Sequence, residues 1–287
     1  MPRALGLRSM ATSAGVVCLG PNSGGALQIQ QLPRQVPGPD EVEIAVEAAP
    51  VNPFDVRRSE GYGRRLLSLL GAARFPLVLG NDFAGTVSAV GTRVSSLRKG
   101  DRVYGVKPPS AAGTHACHVV VKAAHTLPAP ASRDLQEVAA LPYSFTTMWL
   151  AVHGAGLTRQ NAPGRRVLVH GAAGGLGTLA LQMLSAWGAS VTAIAKPVAF
   201  DTCRRSGAVS FVDAATKPFS SLARSFDATL NFATWGDDFA LLGCLAEGAL
   251  GHATTVHPML QNFDEYGWAD GRLEGDSGQA VPSRSSI

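Results

Sequence analysis

The sequence predicts an α/β protein in two parts: a small β-barrel-like domain, then a doubly wound parallel sheet. Before residue 130, short β-branched or alternating runs are separated by Gly/Pro turns, the pattern of a small antiparallel domain. After residue 160 the order becomes strand–helix–strand, which calls for a parallel sheet with helices on both faces. A third observation is residues 167–196, VLVHGAAGGLGTLALQMLSAWGASVTAIAK, which carry no charge before Lys196. Such a run could cross a bilayer, where ~20 apolar residues suffice. As one helix, however, it would hold the three glycines of AAGGLG at ~1 kcal/mol each. It reads instead as a βαβ unit in the sheet's interior, and no transmembrane segment is expected.

Each element follows from its local pattern. VVCL and ALQIQQL flank GPNSGG, a hairpin turn. EVEIAVEA alternates acidic and apolar residues, predicting a strand with one wet and one buried face. DFAGTVSAVG, RVYGV after the turn RKGD, and HACHVVV read as further strands. Ser132 is placed to cap a helix over DLQEVAAL, and Pro142 to start a second over YSFTTMWLAVHGAG. In the second half VLVHG, SVTAIA, SFVD, DATLNF and ALGHATTV read as strands. Between the first two, Leu176, Leu179, Ala180, Met183, Leu184 and Trp187 fall on one helical face.

Composition narrows the chemistry. Of 287 residues, 46% are hydrophobic and 16% charged, so the chain folds rather than staying disordered. The net charge of +4 is mild, and no Lys/Arg cluster marks a nucleic-acid surface. Arg57, Arg58, Arg64 and Arg65 read as a solvated face. The four cysteines lie far apart without a CxxC pair, against a structural zinc lobe or disulfide framework. His115, Cys117 and His118 would alternate across a strand, so no metal site is expected there. MPRALGLRSMATSAG is basic and acid-free; residues 1–14 fit a short organellar presequence and an ordinary ragged terminus equally.

The chemistry concentrates at the turn running from Gly171 through Ala173, Gly174, Gly175 and Leu176 to Gly177. Glycines between a strand and a helix allow a tight turn and close backbone approach to a pyrophosphate. The helix N-terminus adds unpaired N–H groups and partial positive charge. A dinucleotide is therefore expected. At the end of the next strand an NAD site would present Asp or Glu to the ribose 2′-hydroxyl, but this chain has Ala195-Lys196 and no acid before Asp201. Lys196 points to NADP(H), with a solvated loop lysine as the alternative.

Several stretches together resemble the zinc-independent medium-chain dehydrogenases/reductases of the quinone oxidoreductase type: VNPFDVRRSEGYG, FPLVLGNDFAGTVSAVG, KGDRVYG, ALPYSFTTMWLAV, RVLVHGAAGGLGTLALQ and MLQNFDEYGWADG. The resemblance implies a GroES-like catalytic domain over residues 15–135 and a Rossmann NADP(H)-binding domain over 136–275, with 276–287 a disordered polar tail. Asn81 stands where alcohol-dehydrogenase members carry a histidine zinc ligand, which disfavours zinc-polarised chemistry and leaves quinones and α,β-unsaturated carbonyls as substrates. Tyr62 matches a proton-donating tyrosine and Asn52 an active-site asparagine; simple packing of Tyr62 is the alternative. Thr147 matches a hydroxyl beside the nicotinamide, although an inert helix-face threonine fits as well. Asn231 lies where the family's fourth strand meets the cofactor.

Three departures qualify the resemblance. Ala214 replaces a tyrosine near the phosphate, Thr234-Trp235 replaces a glycine pair, and the family continues for several dozen residues beyond QAVPSRSSI. The chain is thus expected to be C-terminally truncated, its sheet incomplete, and the family's homo-oligomer doubtful here. The expected function is NADPH-dependent quinone or enone reduction, with a catalytically impaired NADPH-binding interaction protein as the alternative. The expected location is mitochondrial, with a cytoplasmic alternative.

Overall fold

β1 (Thr12–Cys18) and β2 (Leu27–Pro33) form the expected antiparallel hairpin, with Val16 opposite Ile29. The computed structural model describes residues 12–20, 26–63, 75–110, 112–216, 218–233 and 236–255. The basic N-terminal residues, most of the hairpin turn, Arg64, Arg65, Thr234, Trp235 and everything from residue 256, including the polar tail, lie outside them. Described residues up to Tyr143 form one compact unit, and those from Ser144 onward form a second.

In the first unit, β3 (Glu41–Ala48) leads to the short helix α1 (Pro53–Ser59) and to β4 (Leu77–Val78), which pairs with β1. β5 (Asp82–Val90), β6 (Arg102–Val106), β7 (His118–Lys122) and β8 (Thr126–Pro128) complete an antiparallel sheet in the order β7-β3-β5-β6-β8. Its core gathers Val42, Ile44, Phe83, Val103 and Val121, each such side chain contributing about 1.5–3 kcal/mol on burial.

Four local expectations are corrected here. Arg58, expected on a solvated face, is buried, its Nη2 donating to Ser110 O at 3.0 Å, while Arg57 stays exposed. The wet face of β3 is partly covered. Glu43 is buried, accepting hydrogen bonds from Arg34 Nε at 2.9 Å and Ser88 Oγ at 2.6 Å. Burial alone would raise its carboxyl; the Arg34 and Ser88 contacts outweigh this and hold it below the ordinary glutamate value. The strand expected over HACHVVV begins only at His118, because residues 115–117 bond to β1 instead, through Val16 N–H to His115 O and Cys117 N–H to Ala14 O. Finally, the N-cap position of α2 (Leu135–Ala139) falls on Asp134, without a side-chain cap bond, rather than on Ser132, since Pro130 to Arg133 close a turn of their own.

α3 (Pro142–Gly154) opens on proline as expected, at a position whose N–H has no intrahelical acceptor. In the second unit follow β9 (Arg166–His170), α4 (Gly175–Ala186), β10 (Ser190–Ala195), α5 (Phe200–Arg205), β11 (Ser210–Asp213), β12 (Ala228–Asn231), α6 (Asp238–Gly243) and β13 (Gly251–Thr254). The five strands are parallel, in the order β11-β10-β9-β12-β13. Val167 and Val169 pack on the α4 side with Ala180, Leu181 and Leu184, while Leu168 and Ile194 meet Leu241 and Cys244 of the α6 side. Both faces of β9 are therefore dry, which explains the missing charge. Among the described residues no helix is long and apolar enough to cross a membrane.

α4 is rotated from the expected stripe. Its fully buried residues are Gly177, Ala180, Leu181 and Leu184, with Leu176, Leu179, Met183 and Trp187 only partly buried. Gly177 sets this rotation: a Cβ there would lie 2.3 Å from Gly171 O, so only glycine lets that face approach the strand end.

Candidate functional site

The chain leaves β9 at His170 and turns sharply at Gly171, whose φ of +75° favours glycine. A Cβ on Gly171 would also meet the backbone of Phe232 and Ala233 at 2.8–3.0 Å. Gly174, in extended conformation, is the N-cap of α4 and offers no capping side chain; the first turn of the helix holds no acid. The first amides of a helix have no intrahelical acceptor and face its positive end. Ala173, Gly174 and Gly175 are exposed. A Cβ on Gly175 would meet nothing within 4 Å, and one on Gly174 only Gly171 O at 3.4 Å. Gly171 and Gly177 are thus required by the protein's own packing, whereas Gly174 and Gly175 border open space. This uncapped, acid-free, uncrowded end fits the diphosphate of a dinucleotide.

Asn231 ends β12 opposite His170. Its side chain is fully buried and engaged by the protein, with Nδ2 donating to Asp238 Oδ1 at 2.9 Å and Oδ1 accepting from Ala233 N–H at 3.1 Å. It shapes the segment that walls the turn. His252, from the neighbouring strand, also reaches Asp238 Oδ1 at 2.9 Å and bonds Thr229 Oγ1 through Nδ1 at 2.8 Å.

Lys196 is exposed just past the end of β10. Asp213, at the end of β11, lies opposite Ala195, a carboxylate that linear spacing did not bring near Lys196; its Oδ1 accepts from Ala215 N–H at 2.9 Å. Thr147 is half-buried on α3 beside the buried Met148.

In the first unit, a polar cluster forms around the start of α1. Asn52 caps that helix, its backbone N–H donating to Asp55 Oδ2 at 2.9 Å, while Asp55 Oδ1 accepts from Gly80 N–H at 2.9 Å. Asn52 Nδ2 donates to Asp82 Oδ2 at 3.0 Å, and Tyr143 N–H donates to Asp82 Oδ1 at 2.6 Å. Burial pushes the Asp82 carboxyl up to about 6, against the two hydrogen bonds that favour its charged form. Tyr62 follows α1, its N–H bonded to Arg57 O. Its half-buried ring meets Phe54 edge-on at 6.5 Å and lies under the Arg57 guanidinium at 5.6 Å. Asn52 and Asp82 are brought together; the structure shows no bond from either to Tyr62. Asn81 Nδ2 donates to Lys107 O, and among the described residues no group of three or more His, Cys, Asp or Glu could hold a metal ion.

A family model for the alcohol dehydrogenase GroES-like domain matches residues 38–131. An alcohol dehydrogenase superfamily protein from Novosphingobium aromaticivorans, known from its crystal structure, superposes with a TM-score of 0.72 at 30% identity, over 82% of this chain and 70% of its own. With the parallel sheet and its glycine turn, these likenesses place the chain in the medium-chain dehydrogenase/reductase family. The human protein called NAD(P)H oxidoreductase RTN4IP1, mitochondrial, is 35% identical, across 86% of this chain and 65% of its own length. Reticulon-4-interacting protein 1, mitochondrial, of Caenorhabditis elegans is 34% identical, across 85% and 70%. The chain thus spans about two thirds of the length of these relatives.

Proposed function

We propose that the protein is a mitochondrial NADPH-dependent reductase of quinones or α,β-unsaturated carbonyl compounds. The observation that carries this reading is the open end of α4 at Gly174 and Gly175, backed by Lys196 after β10. The relatives' names, which give NAD(P)H oxidoreductase and mitochondrial, support it. When bound, the nicotinamide supplies a hydride to a carbon whose electrons pass to a conjugated oxygen.

The chain's own residues do the rest. The first-turn amides of α4 meet the diphosphate, and Lys196 attracts the 2′-phosphate that a carboxylate would repel. Tyr62 donates a hydrogen bond, then a proton, to the substrate oxygen as it gains charge. Asn52, its amide committed to Asp82, fixes the cluster at the start of α1.

Two measurements test these roles. Lys196→Ala is expected to weaken NADPH binding about tenfold, close to one charge-assisted hydrogen bond at ~1.4 kcal/mol, and to leave NADH binding unchanged; equal effects on both would remove NADP(H) selectivity from Lys196. In assays following NADPH oxidation with quinones and enones, Tyr62→Phe is expected to lower kcat about 100-fold, the usual scale of a lost general acid. An undiminished kcat would return Tyr62 to a packing role. Saturable NADPH binding by the unaltered chain with no oxidation would favour the non-catalytic interaction protein.

A further inference from the structure

The chain after β12 is tied to the glycine turn at two points, Phe232 and Asp237. Near its start, Phe232 N–H donates to His170 O at 3.0 Å, and its backbone lies against Gly171 closely enough to exclude a Cβ. Further on, Asp237 Oδ2 lies 3.0 Å from His170 Nε2. His170 is 7% exposed, with Phe219 lying edge-on to its ring at 5.9 Å. Both fastenings therefore end on the residue immediately before the turn.

We infer that the His170–Asp237 pair is a latch tying the start of α6 to the strand end before the glycine turn, beside the contact of Phe232 and Ala233 with Gly171, and that through it these two positioning residues set the affinity for the dinucleotide. The inference rests on the cofactor reading above. Its physical basis is the backbone-to-backbone packing at Gly171. A wall that retreats leaves that turn unsupported, and the amides that face the ligand lose their preorganised arrangement. The histidine end of the pair is buried and the Asp237 carboxylate is 22% exposed, so water competes for the bond from one side only.

The test uses the full chain and two readouts besides turnover: NADPH dissociation constants from calorimetry, and hydrogen exchange of amides 232–238 without ligand. Asp237→Ala is expected to raise Kd about tenfold and to speed exchange across that segment. His170→Gln, which keeps an N–H donor, should stay within about threefold of the unaltered chain. The double variant His170→Ala/Asp237→Ala should be no worse than its weaker-binding single variant. Should a variant prove poorly folded, Asp237→Asn supplies the milder comparison, with the same signs expected. Faster exchange with an unchanged Kd overturns the inference, as does unchanged exchange. An unaltered chain that binds no nicotinamide dinucleotide overturns the cofactor reading itself, an outcome separable from both.

Discussion

Replacing Gly175 with aspartate is expected to abolish dinucleotide binding while leaving the protein at least as stable. Nothing lies within 4 Å of a Cβ at this position, so the side chain enters without displacing the fold. A carboxylate in the first turn of α4 also complements the helix's positive end, a gain of about 0.3–1 kcal/mol. The same charge would sit at the proposed diphosphate site, and repulsion together with lost access should raise Kd at least about 100-fold, or ~2.7 kcal/mol. A thermal melt beside a binding titration checks both halves. Gly177 makes the contrast, because its Cβ would meet Gly171 O at 2.3 Å, so its replacement must disturb the turn itself. If Gly175→Asp bound NADPH normally, the open end of α4 would not be the diphosphate site.

Asp82→Asn is expected to raise the melting temperature at pH 7.5, with the gain falling to about a third by pH 4.5. The buried carboxyl titrates near 6 in the folded protein, against about 3.9 in an unfolded chain. A raised folded value means that the ionised form costs the native state stability. That cost is complete above about pH 6, shrinks as pH falls through 6, and is gone below about 4. The interval of about two pH units, at ~1.4 kcal/mol each, caps the cost near 3 kcal/mol; relaxation around the site brings the expected gain to about 1–2 kcal/mol. Asparagine can still accept from Tyr143 N–H and, once the Asn52 amide turns over, donate to its oxygen. Melting curves of both proteins from pH 4.5 to 8 provide the check. A difference that does not vary with pH would show that ionisation of Asp82 is not what costs stability.

The βαβ unit was legible because its causes are local. A strand dry on both faces must be uncharged, and the glycines after it mark the turn from which the helix starts, although α4 itself begins at Gly175 and includes Gly177. The rotation of α4 was not legible, since it follows from Gly177 meeting a carbonyl six residues earlier, a contact that periodicity does not encode. Glu43 misled for a similar reason: alternation assigns it to water, yet Arg34 and Ser88 come from other segments to bury it. The clusters around Asp82 and Asp237 join residues separated by 30 and 67 positions. Their sequence traces were slight, an acid after Asn81 and a pair of acids at the start of α6. Tyr62 and Lys196 were reached through the resemblance and through charge logic at a strand end, and the geometry adds their neighbours.

The missing cap on α4 has a consequence for the resting protein. A serine or aspartate at the Gly174 position would steady such a helix by only about a few tenths of a kcal/mol over glycine, but its side chain would fill the open end. With glycine there, a coenzyme diphosphate seated as proposed would add the steadying that a side chain withholds, so fraying of this helix end would then depend on the supply of coenzyme as well as on the polypeptide.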